Sequence, residues 1–115
     1  MMEFSDTRRG AVLVVTLNGK LDTMVAEPFQ EYLCALIQAG ANRIVLDATK
    51  LTYICSTGLR VMILAARKTA EASGRIVVCG LNERLQKIFR IVGISRVFDV
   101  YESLEEAAKE VEGTL

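Results

Sequence analysis

The run Cys55-Ser56-Thr57-Gly58-Leu59-Arg60 gathers a thiol, hydroxyls, a glycine and a guanidinium into one short stretch. A thiol just ahead of a helix can have its pKa lowered and become a nucleophile. A phosphate-handling cysteine of the tyrosine-phosphatase kind would need its Arg six positions on, with a loop of N–H groups between; Arg60 follows Cys55 at five. No Asp or His stands as an obvious general acid. The chain has no His at all, which removes the commonest metal ligand, the usual general base and any Ser-His or Cys-His pair. Phosphate-cradling loops of the Gly-x-Gly-x-x-Gly and Gly-x-x-x-x-Gly-Lys-Ser/Thr types are absent too. The hydroxyls read differently. Ser56 or Thr57 is the natural N-cap of a following helix, whose first-turn N–H groups and dipole favour negative charge. A phosphate added there would be held.

That helix is read from Leu59, Met62, Ile63 and Ala66, which share one helical face while Arg60, Arg67 and Lys68 lie off it. It runs to about Ala72 and stops at Ser73-Gly74. Ahead of it, Arg43 to Ala48 is a mostly apolar strand. Upstream, Met2 to Thr7 and Ala11 to Asn18 form a strand pair split at Arg9-Gly10. Gly19 breaks the pattern, and Leu21-Asp22-Thr23 leads toward a helix. Since Pro28 suits only a first turn, this helix is expected to start near Ala26, with Phe29, Leu33, Leu36 and Ile37 as its stripe and Gly40 as its stop. Ile76 to Cys79 is a strand apolar enough to be buried on both faces. Asn82 caps a helix striped by Leu85, Ile88, Phe89 and Val92 and ended by Gly93. A short strand at Val97 to Val100 precedes a last helix capped by Ser103 with Glu106 and striped by Leu104, Ala107, Ala108 and Val111. The alternation implies the α/β class: a mixed, mostly parallel β-sheet packed with about four α-helices.

Length and composition bound the rest. At 115 residues, the chain 1–115 is expected to be one domain. Hydrophobic residues make up 51% and no apolar run approaches bilayer length, so a soluble, well-packed protein without membrane insertion is expected. The N-terminus carries Glu3, Asp6, Arg8 and Arg9 where a signal peptide needs apolar residues, which points to the cytoplasm. Fourteen basic side chains balance fourteen acidic ones with no cationic cluster, which argues against nucleic-acid binding. Cys34, Cys55 and Cys79 match neither a disulfide framework nor metal-ligand knuckles, and reduced thiols are the default.

The segment Leu51-Thr52-Tyr53-Ile54-Cys55-Ser56-Thr57-Gly58-Leu59 resembles the signature of the bacterial anti-sigma factor antagonists of the STAS-domain family, in which a phosphorylated Ser, then Ser/Thr/Ala, Gly and Leu follow a short aromatic-apolar run. Leu17-Asn18-Gly19-Lys20-Leu21-Asp22 looks like the family's Gly-x-Leu-Asp marker between the second strand and the first helix. Asp47, ending a strand ahead of Leu51, is in keeping. The likeness covers nearly the whole chain, as a single STAS-like domain. The sequence departs from the pattern at Cys55, where sporulation-type members have Asp, and at Arg60, where Gly is frequent.

The resemblance implies a protein that performs no catalysis, needs no cofactor and acts by docking. Its unmodified form would bind an anti-sigma factor that is itself a serine kinase and so free a sigma factor for transcription. Phosphorylation at Ser56 would switch it off, and a serine phosphatase would restore it. The docking face would hold Asp22, Thr23 and Met24 from one loop with Tyr53, Ile54, Cys55, Thr57, Gly58, Arg60 and Val61 from the other, Met24 and Ile54 being exposed. The free protein is expected to be a monomer. Two other readings stand beside this one: a STAS interaction module of a transporter or signalling scaffold, in which Ser56 is only a cap, and a small enzyme or redox sensor built on Cys55.

Overall fold

A computed structural model describes residues 2–96 and 98–113. Strands β1 (Glu3–Arg9) and β2 (Val12–Leu21) are followed by α1 (Thr23–Gln38), β3 (Arg43–Ile54), α2 (Ser56–Glu71), β4 (Arg75–Cys79), α3 (Glu83–Ile91), a 3-10 turn (Ile94–Arg96), β5 (Val100–Tyr101) and α4 (Leu104–Glu112). The sheet has the order β1-β2-β3-β4-β5, with β1 antiparallel to β2 and every other pair parallel. This is the mixed, mostly parallel sheet with four helices that the alternation implies. Gly10 opens the β1–β2 loop at φ +62, a conformation that a two-residue hairpin needs and glycine adopts at no steric cost.

Because the chain steps through the sheet in one direction and strand-helix-strand crossovers are right-handed, α1, α2 and α3 are all forced onto one face. Residues of alternating parity divide the strands accordingly. Leu13, Val15, Leu17, Ile44, Leu46, Ile76 and Val78 join Phe29 and Leu33 of α1, Met62 of α2 and Leu85 and Phe89 of α3 in the main core. Val12, Val14, Val45, Val77 and Cys79 project to the other side under Ala107 and Val111 of α4. Ile76 to Cys79 is buried on both faces, as its composition requires.

Several boundaries differ from the sequence reading, and β1 runs Glu3–Arg9 rather than Met2 to Thr7. Strand β2 continues through Gly19, at φ +116, as far as Leu21. Strand β3 continues past Ala48 to Ile54 because register shifts opposite Thr16/Asn18 and Gly19/Lys20 place extra residues in β3, so that its buried positions Ala48, Leu51 and Ile54 recur every third residue. The last strand is Val100–Tyr101, with the buried Phe98 ahead of it; Val97, expected to begin it, lies outside the described residues.

Helix α1 starts at Thr23 rather than Ala26 because Asp22 caps it, its Oδ1 accepting from the N–H groups of Met24 at 3.0 Å and Val25 at 3.2 Å. Pro28 therefore lies inside the helix, where it removes a backbone donor; its ring is exposed. Restoring the donor is worth up to about 3 kcal/mol, while the more flexible unfolded chain takes back about 0.4–1 kcal/mol. Pro28→Ala is expected to raise the unfolding free energy by about 1–2 kcal/mol in urea titration, with an unchanged denaturant slope.

Candidate functional site

The ends of β2 and β3 run side by side, Lys20 against Tyr53 and Leu21 against Ile54. Two hydrogen bonds close this seam. The Cys55 N–H donates to the Leu21 carbonyl at 2.9 Å, and the Thr52 hydroxyl donates to the Gly19 carbonyl at 3.1 Å. The seam places the N-termini of α1 and α2 next to each other at one end of the sheet.

The N-cap of α2 is Cys55, not Ser56 or Thr57. Fixed in extended geometry by its bond to Leu21 (φ −91, ψ 170), Cys55 turns its Sγ to accept from the Gly58 N–H at 3.4 Å, and its carbonyl takes the first helical bond from Leu59 at 3.0 Å. Ser56 and Thr57 thereby become the first helical residues, both exposed. Their amides belong to the turn that no intrahelical carbonyl reaches, and α2 has no acidic side chain in that turn.

Gly58 is required by packing. A Cβ at this position would stand 2.7 Å from Leu21 Cγ, 2.9 Å from Cδ2 and 3.2 Å from Ile54 Cγ1, with Leu21 fully buried. Ile54 is correspondingly only 5% exposed and lies under the site rather than on it, against the expectation of an exposed Ile. Val61 and Gly58 are also buried beneath the surface. The solvent-facing members are Thr23, Met24 at 78% exposure, Tyr53 at 45%, Ser56, Thr57 and Arg60, while Asp22 and Cys55 are half-buried and occupied as caps. Arg60 has no ion-pair partner among the described residues.

Glu27, Gln30 and Glu31, which the sequence reading did not select, border the same mouth. With Thr23, Ala26, Thr57 and Val61 they line a hollow of about 360 Å³ between α1 and α2. Their signal is the four-residue spacing of Thr23, Glu27 and Glu31, which becomes a helical stripe only once the helix is started at Asp22. Among the described residues no group of three His, Cys, Asp or Glu side chains stands close enough to hold a metal ion. The third thiol is inert at neutral pH: burial, reinforced by the Asp47 carboxylate, pushes Cys79 up to about 12. No helix is long and apolar enough to cross a membrane among the described residues.

Two substitutions test this local structure by chemical denaturation. Gly58→Ala must displace the buried Leu21 side chain and is expected to cost about 1–3 kcal/mol. Cys55→Asp replaces a weak sulfur acceptor by a carboxylate at a helix N-terminus and is expected to stabilise by about 1 kcal/mol.

Residues 3–107 match the family model of the STAS domain. BtrV of Bordetella bronchiseptica, a candidate anti-sigma factor antagonist, is 34% identical over 107 residues, covering 93% of this chain and 92% of its own length. A candidate anti-sigma factor antagonist of Thermotoga maritima superposes with a TM-score of 0.90 at 21% identity, over 95% of this chain and 94% of that one. The Bacillus cell fate determinant SpoIIAA in its phosphorylated form superposes with a TM-score of 0.74 at 20% identity, over 96% and 99% of the two chains. With its two helix starts locked together across the β2–β3 seam and the family model matched over nearly its whole length, the chain belongs to the STAS domain family.

Proposed function

We propose that this protein is an anti-sigma factor antagonist that docks through the paired starts of α1 and α2 onto an anti-sigma factor serine kinase, and that phosphorylation of Ser56 ends the docking. The observation that carries this reading is the exposed Ser56 hydroxyl in the first turn of α2, between the exposed side chains of Met24, Tyr53 and Arg60. The role in the name of the Bordetella relative supports it. In this arrangement Ser56 supplies only the attacking hydroxyl. The nucleotide, its Mg²⁺ and the base belong to the kinase, and catalysis resides wholly in the partner. A serine phosphatase reverses the step, and both reactions take place in the cytosol.

Phosphorylation adds nearly two negative charges to a mouth where Met24 and Tyr53 are exposed beside Thr57 and Arg60 and which Glu27 and Glu31 border. The first turn of α2 receives them without rearrangement, since its free amides and dipole favour an anion and no carboxylate competes there. The fold of SpoIIAA in its phosphorylated form agrees with this. What changes is the surface offered to the partner: a dianion at the centre of an interface must be desolvated on docking, and affinity falls. Cys55 caps α2 through a sulfur, so the kinase must recognise Ser56 without a carboxylate before it.

The test is affinity capture from cytosol of the native organism with wild-type protein and Ser56→Asp in parallel, captured proteins being identified by mass spectrometry. A histidine-kinase-like ATPase is expected on wild type and depleted at least about tenfold on Ser56→Asp, which corresponds to about 1.4 kcal/mol or more. Transporter or scaffold subunits recovered equally by both baits would replace this reading by that of an interaction module in which Ser56 only opens a helix.

A further inference from the structure

The hollow at Thr23, Glu27 and Glu31 does not end at Thr57. A second one, of about 350 Å³, continues it along α2 and shares Gln30, Thr57 and Val61 with it, adding Arg60, Leu64 and Arg67. Together they form a groove between α1 and α2 that starts at the Ser56 mouth. Its floor is apolar, from Ala26, Val61 and the half-buried Leu64. Its walls carry opposite charge: Glu27 and Glu31 on α1, one helical turn apart, and Arg60 and Arg67 on α2.

These four side chains are exposed, and none has an ion-pair or hydrogen-bond partner among the described residues. The acidic pair lines the first hollow and the arginines the second, so the two charges adjoin along the groove, across the shared Gln30, Thr57 and Val61, without neutralising each other. An apolar floor between unneutralised walls of opposite sign specifies its occupant by charge. We infer that the groove seats an α-helix of the anti-sigma partner, with an apolar stripe on the floor, Lys or Arg toward α1 and Asp or Glu toward α2. From Thr57 to Arg67 the groove is about 15 Å long, equal to about three turns of such a helix. The inference rests on the docking reading above and extends it. Ser56 decides whether the partner binds, and the groove decides which partner binds, because a helix with the reversed charge order meets like charges on both walls.

Calorimetric titration of the purified serine kinase against wild type, Glu27→Lys/Glu31→Lys and Arg60→Glu/Arg67→Glu, at 50 and 500 mM salt, tests the inference. Each double variant is expected to bind at least about tenfold more weakly at 50 mM, with the gap narrowing at 500 mM as the charges are screened. Thermal unfolding should stay close to wild type, since the replaced groups are exposed and unpaired. Glu27→Gln/Glu31→Gln, which removes charge without reversing it, should fall between. Kinase binding by wild type and both reversed variants within twofold of one another overturns the groove and leaves the docking reading standing. Absence of wild-type binding overturns both. Altered self-association of the variants in sedimentation, with kinase affinity unchanged, would assign the groove to a second copy of this chain and overturn the inference.

Discussion

The close approach of Gly58 to Leu21 is the constraint on which the paired helix starts at one end of the sheet depend. Parallel pairing brings β2 and β3 to the same edge, but pairing alone leaves the helices that follow free to splay. The Cys55 amide on the Leu21 carbonyl fixes where β3 stops, and the missing side chain at Gly58 lets the first turn of α2 sit against Leu21. Leu21 in turn precedes Asp22, the cap of α1. One buried leucine therefore sets both helix starts, and with them the spacing of Met24, Tyr53, Ser56 and Arg60.

The two caps solve the same problem with different chemistry. Asp22 offers α1 a charged oxygen that satisfies two amides, whereas Cys55 offers α2 a weakly accepting sulfur that satisfies one. The negative charge that a helix start attracts is thus already present at α1 and still lacking at α2. On a surface with few groups to work with, this asymmetry leaves one helix start prepared to take on an anion beside Ser56.

The sheet class, the helix stripes and the caps of α3 and α4 could be read from the chain because each rests on neighbours in sequence. The 3.6-residue stripe of Leu85 and Phe89 and the bond from Asn82 to the Leu85 amide are local facts, whereas Val92, expected in the same stripe, is the exposed C-cap of α3. What escaped the sequence rests on distant partners. The second half of β3 hides because its bulges turn a two-residue alternation into the three-residue recurrence of Ala48, Leu51 and Ile54, and those bulges exist only against β2. The cap of α2 moved from the hydroxyls to Cys55 because a bond to Leu21, far away in sequence, decides where the strand ends. Pro28 misplaced the start of α1, since a capping aspartate and a well-buried stripe outweigh a lost donor. The burial of Ile54 follows from the same seam, so which residues of the signature stretch face solvent could not be read from the chain.

The two margins of the sheet bear on how such a protein can join others. Strand β1 is exposed along nearly its whole length and carries Glu3, Asp6, Arg8 and Arg9, while β5 at the opposite margin is only two residues long. Charged side chains and brevity are the two common ways of denying a free edge to a neighbouring strand. With one margin charged and the other short, assembly through backbone pairing is disfavoured at either side. Association is left to the helical end of the molecule, where side-chain chemistry rather than main-chain complementarity selects the contact.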